Sequence, residues 1–147
     1  MTIWWDMDGT IADLYRVDGW LDSLMVEDAT PYATAKVMWN MSQLARLMNK
    51  VQRAGYQLGI ISWKSRTCSD SYGEAITEAK LGWLKKHLAS VQFDTVYIVD
   101  YGTPKYQMMD TAEDILFDDE ERNRTAWKGE AFEPVMMIEV LKNLIGG

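Results

Sequence analysis

Thr2-Ile3-Trp4-Trp5-Asp6-Met7-Asp8-Gly9-Thr10 is the stretch on which the fold turns. Its first four residues are β-branched or aromatic, a composition that suits a short buried strand. Two carboxylates, a glycine and a threonine follow at once. The acids therefore leave the strand at its C-terminal end, where open parallel sheets bind ligands. Side chains alternate along a strand, so Asp6 and Asp8 share a side if the strand extends that far. Two acids so close repel unless a cation lies between them or one keeps a proton. Gly9 lets the backbone turn tightly beside them. The arrangement suits a Mg2+ site that also carries a nucleophile. Asp-x-Asp-Gly is also a common solvated turn. This copy is set apart by the apolar strand before it and by the polar clusters further along the chain.

A chain of 147 residues is long enough to bury a real core and is read as one domain, 1–147. Its hydrophobic fraction of 48% and charged fraction of 25% are those of a folded soluble protein. Seven tryptophans and ten methionines are many for this length, and most are expected in the core, with some lining a pocket. The formal net charge of -7 argues against a nucleic-acid polymer as partner, since polyanions need a basic surface, but allows a small phosphorylated ligand held by local cations. Cys68 is the single cysteine, which rules out an intrachain disulfide and fits a reducing cytoplasm. Nothing in the sequence reads as a signal peptide or as an apolar run long enough to span a bilayer, so a soluble intracellular protein is the expectation.

Beyond the opening motif, Leu14, Val17, Leu21, Leu24 and Met25 recur at helical spacing, so Asp13 to about Glu27 is expected as one amphipathic helix, broken at Ala29-Thr30-Pro31. Val37, Met41, Leu44, Leu47, Met48 and Val51 mark a second helix within Thr34 to Ala54, ended by Gly55. Gln57 to Ser62 reads as the second strand. A polar stretch then leads to a helix from about Gly73 to Leu88. Asp94 to Val99 is the third strand, Asp114 to Phe117 a short fourth, and Glu130 to Phe132 a weak fifth; Pro134 opens a last helix. Strands alternating with helices specify an α/β fold: a three-layer, Rossmann-like parallel sheet with helices on both faces. Strand order 3-2-1-4-5 puts the topological switch between strands one and four, so Asp6 and Asp118 end side by side at the ligand-binding crevice.

Polar clusters thus fall at four strand ends: Asp6 and Asp8; Ser62 with Lys64 and Arg66; Lys105; Asp118 and Asp119. Acids on neighbouring strands can hold a hard cation through oxygen ligands, and a hydroxyl and an ammonium can bind phosphate oxygens. Together they describe a phosphoryl-transfer site with a carboxylate able to attack phosphorus. In order and placement these clusters resemble the four motifs of the haloacid dehalogenase-like (HAD) superfamily of phosphohydrolases. The resemblance implies that Asp6 is the nucleophile and Asp8 the general acid and base. It implies that Thr10, Ser62 and Lys105 serve the phosphoryl group. It places Mg2+ on Asp6, Asp118 and Asp119 with the backbone carbonyl of Asp8. An acid at position 8 favours phosphate chemistry over dehalogenation in that superfamily.

Residues 11–33 are the one candidate lid, a small helical insert too short for a full cap domain. Within it Tyr15, Arg16 and Trp20 are placed to reach over the crevice. Lys64 and Arg66 are loop charges whose place beside Ser62 suits a substrate contact as well as it suits solvent. The region is similar to that of the small 5'(3')-deoxyribonucleotidases of the superfamily, which makes a nucleoside monophosphate the first substrate expectation. For Trp20, packing of the insert is the stronger expectation. Three alternatives remain: a phosphatase of nucleic-acid ends, a catalytically idle relative that binds a phosphorylated ligand or acts as an inhibitor, and an aspartyl-phosphate receiver domain. The Asp-x-Asp-Gly-Thr motif and the acid pair after the fourth strand count against the receiver. Oligomeric state is not legible.

Overall fold

In a computed structural model, which describes residues 1–146, a five-stranded parallel sheet forms the centre of the molecule. Its strands are β1 (Thr2–Trp5), β4 (Gln57–Trp63), β5 (Thr95–Val99), β6 (Ile115–Phe117) and β7 (Glu130–Phe132). They lie in the order β5-β4-β1-β6-β7, which is the expected 3-2-1-4-5 when only these strands are counted. A separate antiparallel pair, β2 (Ala12–Asp13) with β3 (Lys36–Val37), sits beside it. The helices are α1 (Trp20–Met25), α2 (Thr30–Thr34), α3 (Met41–Arg53), α4 (Asp70–His87), α5 (Glu121–Ala126) and α6 (Met137–Leu144).

The two tryptophans of β1 divide the core between the faces of the sheet. Trp5 joins Ile3, Leu58, Ile60 and Phe117 in the larger cluster, with Leu44, Met48 and Val51 of α3 and Leu141 of α6. Trp4 points the other way, onto Ile61, Leu116 and Trp127. Such alternation is what a strand buried on both faces requires. Gly59 lies in register with Trp4, and a Cβ there would collide with the indole ring, so β4 can carry only glycine at that level. Trp4 Nε1 donates to Asp114 Oδ2 at 3.0 Å, which satisfies the polar end of an otherwise apolar side chain.

Register fixes the site. Trp5 pairs with Ile60 on one side and Phe117 on the other, and the Asp6 amide donates to the Phe117 carbonyl at 2.9 Å. Asp6 and Asp118 therefore leave adjacent strands at the same height, where the chain switches direction across the sheet.

Between β2 and β3 the structure departs from the sequence reading. The single helix expected over Asp13 to Glu27 is two pieces: a 3-10 turn at Leu14–Arg16 and the six-residue α1. Val17 is extended and Gly19 adopts a left-handed φ of 71°, which ends one piece and begins the other. Pro31 does not end a helix. It lies in the first turn of α2, where its missing N–H costs nothing. The helix expected within Thr34 to Ala54 starts only at Met41, because Lys36–Val37 is drawn into pairing with β2 and the Asn40 side chain accepts from the Gln43 amide at 3.0 Å as an N-cap. The excursion is thus tied at its base by β2 and β3. It packs onto α4 through Leu14, Tyr32, Tyr72 and Ile76. Glu27 fastens its far end by accepting from Ser69, from the amide at 2.9 Å and from Oγ at 2.7 Å.

Candidate active site

The loop after β1 is wound tightly enough to present both acids of the opening motif. The amides of Thr10, Ile11 and Ala12 all donate to the Met7 carbonyl, at 2.9 to 3.1 Å, and the Gly9 amide donates to the Ala12 carbonyl at 2.8 Å. Gly9 has a φ of 80°, and a Cβ on it would run into the Asp119 carboxylate. The position therefore needs glycine both for its conformation and for the close approach of the acid.

Asp6 is buried and held at both oxygens. Lys105 Nζ donates to Oδ1 at 2.8 Å and Thr10 Oγ1 donates to Oδ2 at 3.0 Å. The same lysine donates to Asp118 Oδ2 at 2.7 Å. Asp118 also accepts from the Glu120 amide at 2.9 Å and from Asn123 Nδ2 at 3.1 Å. Burial disfavours the Lys105 ammonium, but Asp6 and Asp118 outweigh it and hold its pKa above the ordinary lysine value. Among the described residues Asp6, Asp118 and Asp119 offer carboxylate oxygens all within 4.8 Å of one another. Burial first, and the Asp6 charge second, push Asp118 up to about 6 and Asp119 up to about 8.

Asp8 takes a different direction from the same loop. Its Oδ2 accepts from Lys80 Nζ at 2.7 Å. Burial raises its pKa and the Lys80 charge only partly offsets this, so it retains a proton more readily than a free aspartate does. Lys80 lies in α4 and is 1% exposed. It lies outside the four polar clusters that fall at strand ends in the sequence. A signal existed: Ile76, Lys80 and Leu84 form one stripe at four-residue spacing, and a lysine in a buried apolar stripe needs a partner.

A cavity of about 420 Å3 opens over these groups, with Asp6, Asp8, Lys105, Asp118 and Asp119 at its floor. On the side of the excursion its wall is apolar and aromatic: Tyr15, Trp20, Leu21, Leu24 and Tyr32. The lining also includes Trp63, Lys64, Ser65, Arg66 and Tyr101. Trp63 and Tyr101 lie with ring centroids 4.9 Å apart. The Arg122 guanidinium sits 4.6 Å from the Trp63 ring centre and donates to Tyr101 Oη at 2.8 Å, and Arg66 lies 5.8 Å from the Tyr101 ring.

Of the residues expected at the site, Tyr15, Lys64 and Arg66 line this cavity, and Arg16 does not. Its side chain is 87% exposed, 3.8 Å from Asp13, and borders a separate hollow with Val17 and Lys36. Thr10 is fully buried and reaches the site as a partner of Asp6. Ser62 is also fully buried, its Oγ accepting from Lys80 at 2.6 Å, while Ser65 three residues on borders the cavity. Arg122 and Arg124 face acids, Glu120 at 2.9 Å and Glu133 at 3.5 Å.

No protein-family model matches the chain, and neither does any curated protein. Among solved structures it is similar to a D,D-heptose 1,7-bisphosphate phosphatase from Burkholderia thailandensis, at 16% identity and a TM-score of 0.49, over 85% of this chain and 70% of that one. No helix among the described residues is long and apolar enough to cross a membrane.

Proposed function

We propose that the protein is a Mg2+-dependent phosphomonoesterase of the HAD type, working through an aspartyl-phosphate on Asp6. The observation that carries this reading is the division of acids in one crevice. Asp6, Asp118 and Asp119 converge on a common point with Lys105 between two of them, while Asp8 stands apart with its own lysine.

An all-oxygen set of three carboxylates fits a hard divalent cation, and burial first and the Asp6 charge second hold the Asp118 and Asp119 pKa values above the ordinary carboxylate value, a penalty on their charged forms that a bound cation would offset. When bound by Asp6, Asp118 and Asp119, Mg2+ would draw negative charge from these acids and from a substrate phosphate. The chain's own residues do the rest. The Asp6 carboxylate attacks phosphorus and the ester oxygen leaves with a proton from Asp8. Asp8 then takes a proton from water as that water attacks the aspartyl-phosphate, returning Asp6 as carboxylate and releasing inorganic phosphate. Lys105 neutralises charge at the nucleophile throughout, and Thr10 fixes the orientation of Asp6.

The substrate we propose is a small phosphorylated molecule, with a nucleoside monophosphate first in line. The aromatic pairs Tyr15–Trp20 and Trp63–Tyr101 in the cavity lining suit a flat leaving group, and Lys64 and Arg66 suit its polar edges. A free cysteine, Cys68, is consistent with the cytoplasm as the place of action. A panel of phosphomonoesters that includes nucleoside monophosphates, assayed with Mg2+ and with excess chelator, tests the reading. Turnover that requires the cation is expected. Turnover that persists unchanged in chelator would remove the metal from it, and no turnover of any ester would remove the activity.

A further inference from the structure

Lys80 is a buried ammonium with its full complement of hydrogen bonds. Its Nζ donates to Asp8 Oδ2 at 2.7 Å, Ser62 Oγ at 2.6 Å and the Trp63 carbonyl at 2.8 Å. An ammonium has three protons, so none is left for a substrate phosphate. The Tyr32 ring of the excursion covers it, with the nitrogen 5.2 Å from the ring centre. Burying a charge inside an apolar helix stripe is costly unless it is paired and fully hydrogen-bonded. An apolar residue would fill the stripe at less cost, so the reason for a lysine lies in what it holds.

We infer that Lys80 is a positioning residue for Asp8, clamping one carboxylate oxygen against the end of β4 and leaving the other to face the cavity. The inference rests on the phosphatase reading above for its kinetic consequence, though not for the contact itself. Two of the three acceptors, Ser62 and Trp63, end the strand next to β1, so the lysine joins the Asp8 loop to its neighbour at a fixed distance. The carboxylate is thereby kept out of the Asp6, Asp118 and Asp119 cluster, which does not include it. A general acid that must give a proton to the leaving oxygen and then take one from water needs its free oxygen held in one place through both steps. Lys105 and Lys80 divide the work: one serves the nucleophile and its neighbour acid, the other the acid that moves protons. Ser62 in this arrangement braces the lysine.

Lys80→Met keeps the length and removes the clamp. On the full-length protein with Mg2+, its kcat on an alkyl phosphate, whose leaving oxygen needs the proton, should fall about 100-fold. On p-nitrophenyl phosphate, a good leaving group, kcat should fall less than about tenfold, with KM for both esters close to wild type. In an Asp8→Asn background the same change should cost no more than about twofold, because both substitutions act through one carboxylate. Equal losses on both esters, or the full loss repeated on Asp8→Asn, would overturn the inference and leave Lys80 as scaffold. If Lys80→Met unfolds, Ser62→Ala, which takes one acceptor from the lysine, should show the same leaving-group pattern at smaller size, and a uniform loss would count against the clamp. Without any substrate, the wild-type Lys80 ammonium should give a slowly exchanging proton–nitrogen signal that shifts in Asp8→Asn, and an absent or unshifted signal would overturn the clamp. A wild type inactive on every ester would end the phosphatase reading, and the ammonium signal would still decide the contact.

Discussion

Asp6 and Asp8 stand two residues apart and meet different lysines, Lys105 and Lys80. On the proposed reading, two identical side chains so differently paired do different chemistry. Asp6→Asn should leave the fold intact and abolish turnover, since an amide does not attack phosphorus at a useful rate. Asp8→Asn should hurt alkyl phosphates far more than p-nitrophenyl phosphate, and equal losses would remove Asp8 as the acid. A third aspartate serves the fold instead. Asp114 is fully buried and accepts from the Thr2 amide, Trp4 Nε1, the Asp110 amide and Thr111 Oγ1, at 2.8 to 3.0 Å. Burial raises its pKa, and these donors more than reverse that, so the net shift is downward. Asp114→Asn turns an N–H toward one of the donors and should cost roughly 1–3 kcal/mol, read by denaturant unfolding, with turnover kept at temperatures where the protein is folded. An acid with a depressed folded pKa contributes stability that is present above the ordinary carboxylate value and is lost as pH falls through the folded one. The gap between wild type and Asp114→Asn should therefore narrow at acid pH, and a gap that widened would contradict the hydrogen-bond account.

Among elements, the excursion between β2 and β3 carries selectivity in this account. Tyr15 lines the cavity and packs edge-on against Trp20, with ring centroids 5.2 Å apart, while Arg16 points away from the cavity toward Asp13. Tyr15→Ala should change the ranking of esters in a panel while a small generic ester is hydrolysed nearly as before, because remote binding contributes only when the remote group is present. Arg16→Ala should leave that ranking unchanged. Parallel loss on all esters in Tyr15→Ala would make the excursion scaffold only. This is also the element least legible in the sequence. Helical spacing of Leu14, Leu21, Leu24 and Met25 suggested one helix, yet Gly19 breaks it, and Leu21 and Met25 are exposed, at 54% and 75%, because α1 packs over a cavity and not onto the core. The sheet was legible because β1, β4, β5 and β6 are mostly apolar or β-branched runs followed by polar residues, a pattern set locally; β7, Glu130–Phe132, carries the pattern only weakly. Lys80 was not, because its contacts with Ser62 and Trp63 depend on α4 lying across the end of β4, which no local pattern contains.

Over the whole molecule, negative charge concentrates at the switch point of the sheet. Asp118 and Asp119 have folded pKa values raised to about 6 and about 8, by burial and by Asp6. Between the ordinary carboxylate value and those values the folded state binds more protons than the unfolded one, so stability should fall as pH rises through that window. The metal-free protein should accordingly melt lower at pH about 8 than at pH about 5, and Mg2+ should remove most of the difference. Asp119→Asn should flatten the slope as well, since Asp119 lacks the lysine that Asp6 and Asp118 share. A metal-free melting temperature that rose over this range would contradict the cluster's assignment. The central claim, that Asp6 becomes phosphorylated during turnover, is tested most directly by acid quench in the steady state, borohydride reduction and sequencing of the peptide that contains the opening motif. Reduction of an acyl phosphate yields homoserine. The account predicts homoserine at position 6, dependent on substrate and Mg2+ and absent in Asp6→Asn; turnover with no homoserine there, or with the adduct on another acid, would contradict it.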